Sequence, residues 1–193
     1  GSPKALLVWR GQTFLQHVTA SLTAANIEDV RVVVGRWAAD RPVPPDGRVV
    51  LVNPRPEDGP ISSIRIAIAS PMAEAAFAIV TQVDHPAVRP ETVRALVELA
   101  RSRPGEVVIS THDGRGGHPV AIPRELFPVI LAAKTASLRD AIASYPADRV
   151  HRFRNGGGGN VEMGQRANAR VVGDAEAHAV LRQGPVEVVP LDS

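Results

Sequence analysis

The residues in this sequence best suited to phosphate or metal chemistry stand at the breaks in its apolar runs. Lys4 follows Pro3 and precedes Ala5-Leu6-Leu7. Asn53-Pro54 closes Val49-Val-Leu-Val52. Ser62 and Ser63 come shortly after Gly59-Pro60. Asp84-His85-Pro86 follows the run Ala76-Phe-Ala-Ile-Val80. A lysine is a compact charge on a flexible stem and suits a phosphate, and the proline before it restricts the backbone; at the head of a domain it can equally be an ordinary solvated charge. An aspartate at the end of a buried run is a ligand for a hard cation such as magnesium, which takes a few carboxylates and completes its shell with water and phosphate oxygens. The same aspartate also serves as a plain turn or helix cap. Ser62 and Ser63 offer hydroxyls and backbone N–H groups to an anion, or act as an N-cap.

These residues need a framework. Phe14, Leu15, Val18, Leu22 and Ala25 fall at helical spacing, so a helix is expected from about Gln12 to Asn26, after a turn at Arg10-Gly11. Val30–Val34 and Val49–Val52 are expected strands, and Asp40–Gly47 a proline-rich loop. Ser62–Ala69 reads as a helix, and Ala76–Val80 as a central parallel strand covered on both faces. Pro90–Arg103 reads as a helix with proline near its first turn. Glu106–Ser110 and His118–Ile122 read as strands around the loop Thr111–Gly117; Arg124–Ala133 and Ser137–Tyr145 as helices; Arg149–Arg154 as a strand. Gly173–Gln183 is an expected helix and Val186–Val189 a last strand. Alternation of this kind predicts an α/β fold, a three-layer Rossmann-like sandwich with a mostly parallel sheet. In such sheets ligands sit beyond the carboxyl ends of the strands, which is where Asn53 and Asp84 fall.

Composition narrows the classes. At 193 residues, 44% apolar and 22% charged, the chain is expected to form a single domain, 1–193, with a sizeable core. Its 22 basic and 20 acidic residues leave a formal charge of only +2, so neither nucleic acid nor a membrane surface is an expected partner. With no cysteine, thiolate catalysis, disulfides and cysteine-based zinc sites are excluded. No apolar run has the length of a membrane helix, no secretory signal is read at the start, and the cytoplasm is the expected compartment. Asn155-Gly-Gly-Gly-Gly-Asn160 carries no side-chain chemistry. His17 and His178 are expected on helices, and Trp9 and Trp37 as packing residues.

The order of the motifs, rather than any one of them, resembles the MobA-like nucleotidyltransferase family, whose domains are of the GT-A/nucleotidyltransferase type. Its molybdenum cofactor cytidylyltransferases look most similar. The stretches that carry the resemblance are Gly1-Ser-Pro-Lys-Ala-Leu-Leu7, Glu28-Asp-Val-Arg-Val-Val-Val-Gly35, Asn53-Pro54, Gly59-x-x-Ser62-Ser63-Ile64-Arg65, Val83-Asp84-His85-Pro86 and Gly117-His118-Pro119-Val120. Such enzymes move a nucleoside monophosphate from an NTP to an acceptor phosphate and release pyrophosphate. The resemblance implies that Lys4 holds the triphosphate and, with Asp84, carries catalysis. It places Asn53, Gly59, Ser62 and Ser63 on the nucleotide side and Gly117 and His118 beside the acceptor. It makes Asp84 and Glu162 ligands of Mg2+. The implied substrates are CTP, or GTP, and a phosphorylated acceptor such as molybdopterin, with a molybdoenzyme-maturation protein as a further partner.

Two departures accompany it. The family's opening strand and glycine-rich phosphate loop have no counterpart ahead of Gly1. The family's later Asp-x-Asp motif is replaced by Asn160-Val161-Glu162, which removes one charge and lengthens the other arm by a methylene. Both departures open the alternative of a catalytically impaired binding or scaffold protein with the same fold.

Overall fold

Val30, Val32 and Val34 pack into one hydrophobic cluster and Val33 into another. A strand with both faces buried this way reads as an unbroken β-branched run, and it lies inside a sheet with helices on either side. The computed structural model describes residues 3–27, 29–39, 49–70, 75–112, 115–154 and 178–182.

A short 3-10 turn at Lys4–Leu6 leads into a hairpin of β1 (Val8–Trp9) and β2 (Gln12–Thr13). Arg10 and Gly11, both at positive φ, form its turn; the glycine takes that backbone freely, whereas an arginine rarely does. The helix α1 (Phe14–Ala24) starts at Thr13, which forms a reciprocal capping box with Gln16. Then follow β3 (Asp29–Gly35), β4 (Val49–Asn53), α2 (Pro60–Ala69), β5 (Phe77–Gln82) and α3 (Pro90–Ser102). The chain continues with β6 (Val107–His112), β7 (Arg115–Pro123), α4 (Phe127–Ala132), α5 (Leu138–Ala143), β8 (Val150–Arg154) and β9 (His178–Arg182).

The main sheet has the order β4-β3-β9-β5-β7-β6-β8. β3 pairs parallel with β4, and β6 with β8. β9 runs antiparallel to β3 and β5, and β7 antiparallel to β5 and β6. Hence β3, β4, β5, β6 and β8 share one direction, and β7 and β9 oppose it. One layer of helices, α1 and α3, covers one face through Leu22, Val93 and Leu96; α2, α4 and α5 cover the other through Ile61, Ile64, Leu126 and Ile130. The expected α/β three-layer sandwich is therefore the fold.

Three expectations change in detail. β5 is antiparallel to both of its neighbours rather than a strand in a parallel environment. Its apolar run reports burial on both faces, which is indifferent to the direction of the strands beside it. His178 lies in β9, where a helix was expected; two open ladders flank this segment, and pairing with β3 and β5 outweighs local helix propensity. Most of the expected loop Thr111–Gly117 belongs to β6 and β7, with a register shift between Ile109 and Thr111. Gly1, the four-glycine run, Glu162 and Val186–Val189 lie outside the described residues. Among the described residues no helix is long and apolar enough to cross a membrane.

Candidate active site

Lys4 reaches the carboxyl edge of the sheet because its turn is anchored. Pro3 is extended, Leu6 N–H donates to the Pro3 carbonyl and Leu7 N–H to that of Lys4. Ala5, the next residue, is 1% exposed in the cluster beneath α1 and α3. Burying Ala5 points the lysine stem toward β5, where its Nζ lies 3.2 Å from Asp84 Oδ2. The two groups are 80 residues apart in sequence and partly buried. The contact contributes up to about 1 kcal/mol to the fold, and it brings the cation and the carboxylate to one place.

Asp84 is presented by a turn at the end of β5. His85 N–H donates to the Gln82 carbonyl at 3.3 Å, and Val83, between Gln82 and Asp84, is buried in the core. Lys4 takes one carboxylate oxygen. The other, Oδ1, is buried and without a hydrogen-bond partner among the described residues, as is Nδ1 of His85, 3.9 Å away. An orphaned carboxylate oxygen is a donor atom in search of a cation, so Asp84 fits the expected divalent metal. No group of three or more His, Cys, Asp or Glu among the described residues could enclose one. A cation here would take water and phosphate oxygens for most of its shell, as magnesium commonly does.

The antiparallel register of β7 against β5 pairs Val120 with Val80 and so brings the start of β7 beside the end of β5. His118 donates its Nδ1–H to the Val80 carbonyl at 3.2 Å. A carbonyl only accepts, so the tautomer is set and Nε2 keeps its lone pair. Burial holds the His118 imidazole below its ordinary pKa. Its ring centroid is 5.7 Å from that of His85. His85, Gly117 and His118 line a cleft of about 820 Å3 together with Gln82, Pro60, Arg139, Tyr145 and Arg152; Lys4 and Asp84 are not among its lining residues.

Asn53, Ser62 and Ser63 also converge, but on one another. Asn53 Nδ2 donates to Ser62 Oγ at 2.7 Å and to Ser63 Oγ at 3.0 Å, while its Oδ1 accepts from the Arg55 N–H at 2.9 Å. Ser62 Oγ donates onward to the Gly59 carbonyl. All three side chains are buried, and in this structure they fasten β4 to the start of α2. Neither serine is an N-cap, since that position belongs to Gly59. The first N–H groups of α2 are also engaged, Ile61 with the Ala136 carbonyl and Ser62 with that of Gly59.

The residues that sequence reading missed are the guanidinium groups. Arg139 and Arg152 line the same cleft as His85 and His118. Arg65 acts from α2, donating to the carbonyls of Ile130, Ala133 and Thr135 and so holding the α4–α5 connection that forms the cleft wall. No local signal marks them, because an arginine on an amphipathic helix or at a strand end has the look of any solvated residue. That Arg139 and Arg152 share one cleft joins α5 to β8, which pairs with β6, segments that only the fold brings together. Arg10, in the turn between β1 and β2, lies over the Trp9 ring.

A lysine and an aspartate lie 3.2 Å apart at the carboxyl end of β5 in this α/β sheet, the edge at which such folds place their ligands. The chain matches the MobA-like NTP transferase domain over residues 1–150 and belongs to that family. A curated relative in Deinococcus radiodurans, named as a probable molybdenum cofactor guanylyltransferase, is 28% identical over 153 residues, covering 78% of this chain and 74% of that protein. The crystal structure of Rv0371c from Mycobacterium tuberculosis superposes with a TM-score of 0.70 at 21% identity over 81% of both chains. A second crystal structure of Rv0371c, in complex with manganese, gives 0.67 at 21% identity over 80% of this chain and 82% of that one. Molybdopterin-guanine dinucleotide biosynthesis protein A from Archaeoglobus fulgidus gives 0.59 at 14% identity, over 80% and 76%. At these identities the structural likeness is one of fold.

Proposed function

We propose that this chain transfers a nucleoside monophosphate from an NTP to a phosphorylated acceptor of the molybdopterin type. An acceptor phosphate oxygen bonds to the α-phosphorus, the bond from that phosphorus to the α–β bridging oxygen breaks, and pyrophosphate leaves with the electron pair. The observation that carries the reading is the 3.2 Å approach of Lys4 to Asp84, next in sequence to His85, which lines a cleft shared with Arg139 and Arg152. Lys4 exchanges its carboxylate partner for triphosphate oxygens and offsets the charge that grows on the leaving group. Asp84 holds the divalent cation; when bound, that cation neutralises the phosphates and polarises the reacting centre. Arg139 and Arg152 seat the acceptor phosphate, a task suited to a planar fork of donors. Gly117 and His118 border the acceptor: the glycine leaves room, and the neutral imidazole accepts a hydrogen bond through Nε2.

CTP is the nucleotide proposed from the motif order. The Deinococcus relative, named as a probable molybdenum cofactor guanylyltransferase, favours GTP as the competitor, and the manganese complex of Rv0371c favours a divalent cation. The test is pyrophosphate release by the purified chain with CTP or GTP, molybdopterin, and Mg2+ or Mn2+. Asp84→Asn and Lys4→Met are each expected to lower kcat/KM by about 10^2- to 10^3-fold. Nucleotide binding without release under any pairing would favour the impaired binding protein instead.

A further inference from the structure

Asp84 and His85 are neighbours in sequence, yet each leaves one ring or carboxylate atom buried and unsatisfied. A buried polar atom without a partner costs about 1–3 kcal/mol, and two side by side need an explanation. Asp84 Oδ1 and His85 Nδ1 are 3.9 Å apart, too far for a hydrogen bond. Two donors on one octahedral cation at about 2.1 Å stand about 3.0 Å apart when adjacent, so the Asp84–His85 pair has to close by about 0.9 Å to hold one ion. The backbone of the pair is held by the turn to Gln82 and by buried Val83, while Lys4 occupies the far carboxylate oxygen and leaves Oδ1 for a metal.

We infer that His85 is a nitrogen ligand of the divalent cation at Asp84, and that this site selects a first-row transition ion such as Mn2+ or Co2+ over Mg2+. Imidazole nitrogen favours the transition ions, whereas Mg2+ takes oxygen donors and gives up its waters reluctantly. The inference deepens the nucleotidyl-transfer reading and rests on it only for the phosphate oxygens that complete the shell.

The experiment is Mn2+ titrated into the full chain without nucleotide, followed by electron paramagnetic resonance. Spin-echo modulation is expected to show 14N coupling from one directly bound imidazole. His85→Gln is expected to lose that coupling and weaken Mn2+ and Co2+ binding by about tenfold or more, while Mg2+ binding moves by less than about threefold. Asp84→Asn is expected to lose the bound Mn2+ signal. Bound Mn2+ without nitrogen coupling, coupling that survives in His85→Gln, or a chain that binds no Mn2+ would each overturn the assignment. The wild-type spectrum decides even where a variant folds poorly, and melting of each variant in chelator identifies that case. Because no nucleotide is present, a chain that releases no pyrophosphate still tests the ligand. Conversely, an all-oxygen Mn2+ site leaves nucleotidyl transfer standing.

Discussion

Asn53 shows how a residue can be important to a site without facing it. Its amide satisfies two hydroxyls and a backbone N–H inside a buried cluster. Asn53→Ala strands those groups, and removing one partner of a buried set costs more than the bonds are worth on balance. The variant is expected to lose about 2 kcal/mol by urea denaturation. A midpoint unchanged from wild type would mean that the cluster is not maintained in solution. At this scale the sequence puts Lys4 before one apolar run and Asp84 after another, and the fold brings them within 3.2 Å. For Ser62 and Ser63 it left the partner open. A serine near a helix start looks the same whether its hydroxyl meets a ligand or an asparagine from the neighbouring strand.

Elements bring those residues together through a few close approaches. Gly59 sits at φ 86, and a Cβ there would lie 2.8 Å from the Ala136 carbonyl oxygen and 2.9 Å from its Cβ. Only glycine allows both the left-handed backbone and that contact. Gly59→Ala is expected to destabilise the chain by about 1–3 kcal/mol and to push the Ala136 segment, with Ser137 and Leu138, away from Pro60 across the cleft. The check is thermal unfolding together with hydrogen exchange at 135–138; exchange as slow as in wild type would contradict the coupling. The motif Gly59-x-x-Ser62-Ser63-Ile64-Arg65 was readable as a loop entering a helix. That its glycine and arginine both grip the α4–α5 connection was not, because the partners lie some 70 residues further along.

Across the whole molecule, the sheet separates two hydrophobic clusters. Leu96 of α3 is fully buried on one face and Ile130 of α4 on the other. Each truncation to alanine is expected to cost about 2–5 kcal/mol. Because the residues share no cluster, the double variant is expected to be additive within about 0.5 kcal/mol. The α3 change is expected to leave nucleotide KM near wild type, whereas Ile130→Ala, beneath the cleft wall, raises it. Equal effects on KM from both faces would show that the two layers are not independent.

Periodicity and punctuation determined the elements and the class of fold, since apolar runs, prolines and glycines act within a few residues of themselves. They also singled out the lysine and the aspartate that the fold brings within 3.2 Å of each other. Tertiary structure alone decided the direction of β7 and β9, the burial of the asparagine–serine cluster, the gathering of Arg65, Arg139 and Arg152 around one cleft, and the pair of unsatisfied atoms on Asp84 and His85. Each of these depends on contacts between segments distant in the chain. Burial leaves its mark on local composition, but strand direction and long-range pairing leave none.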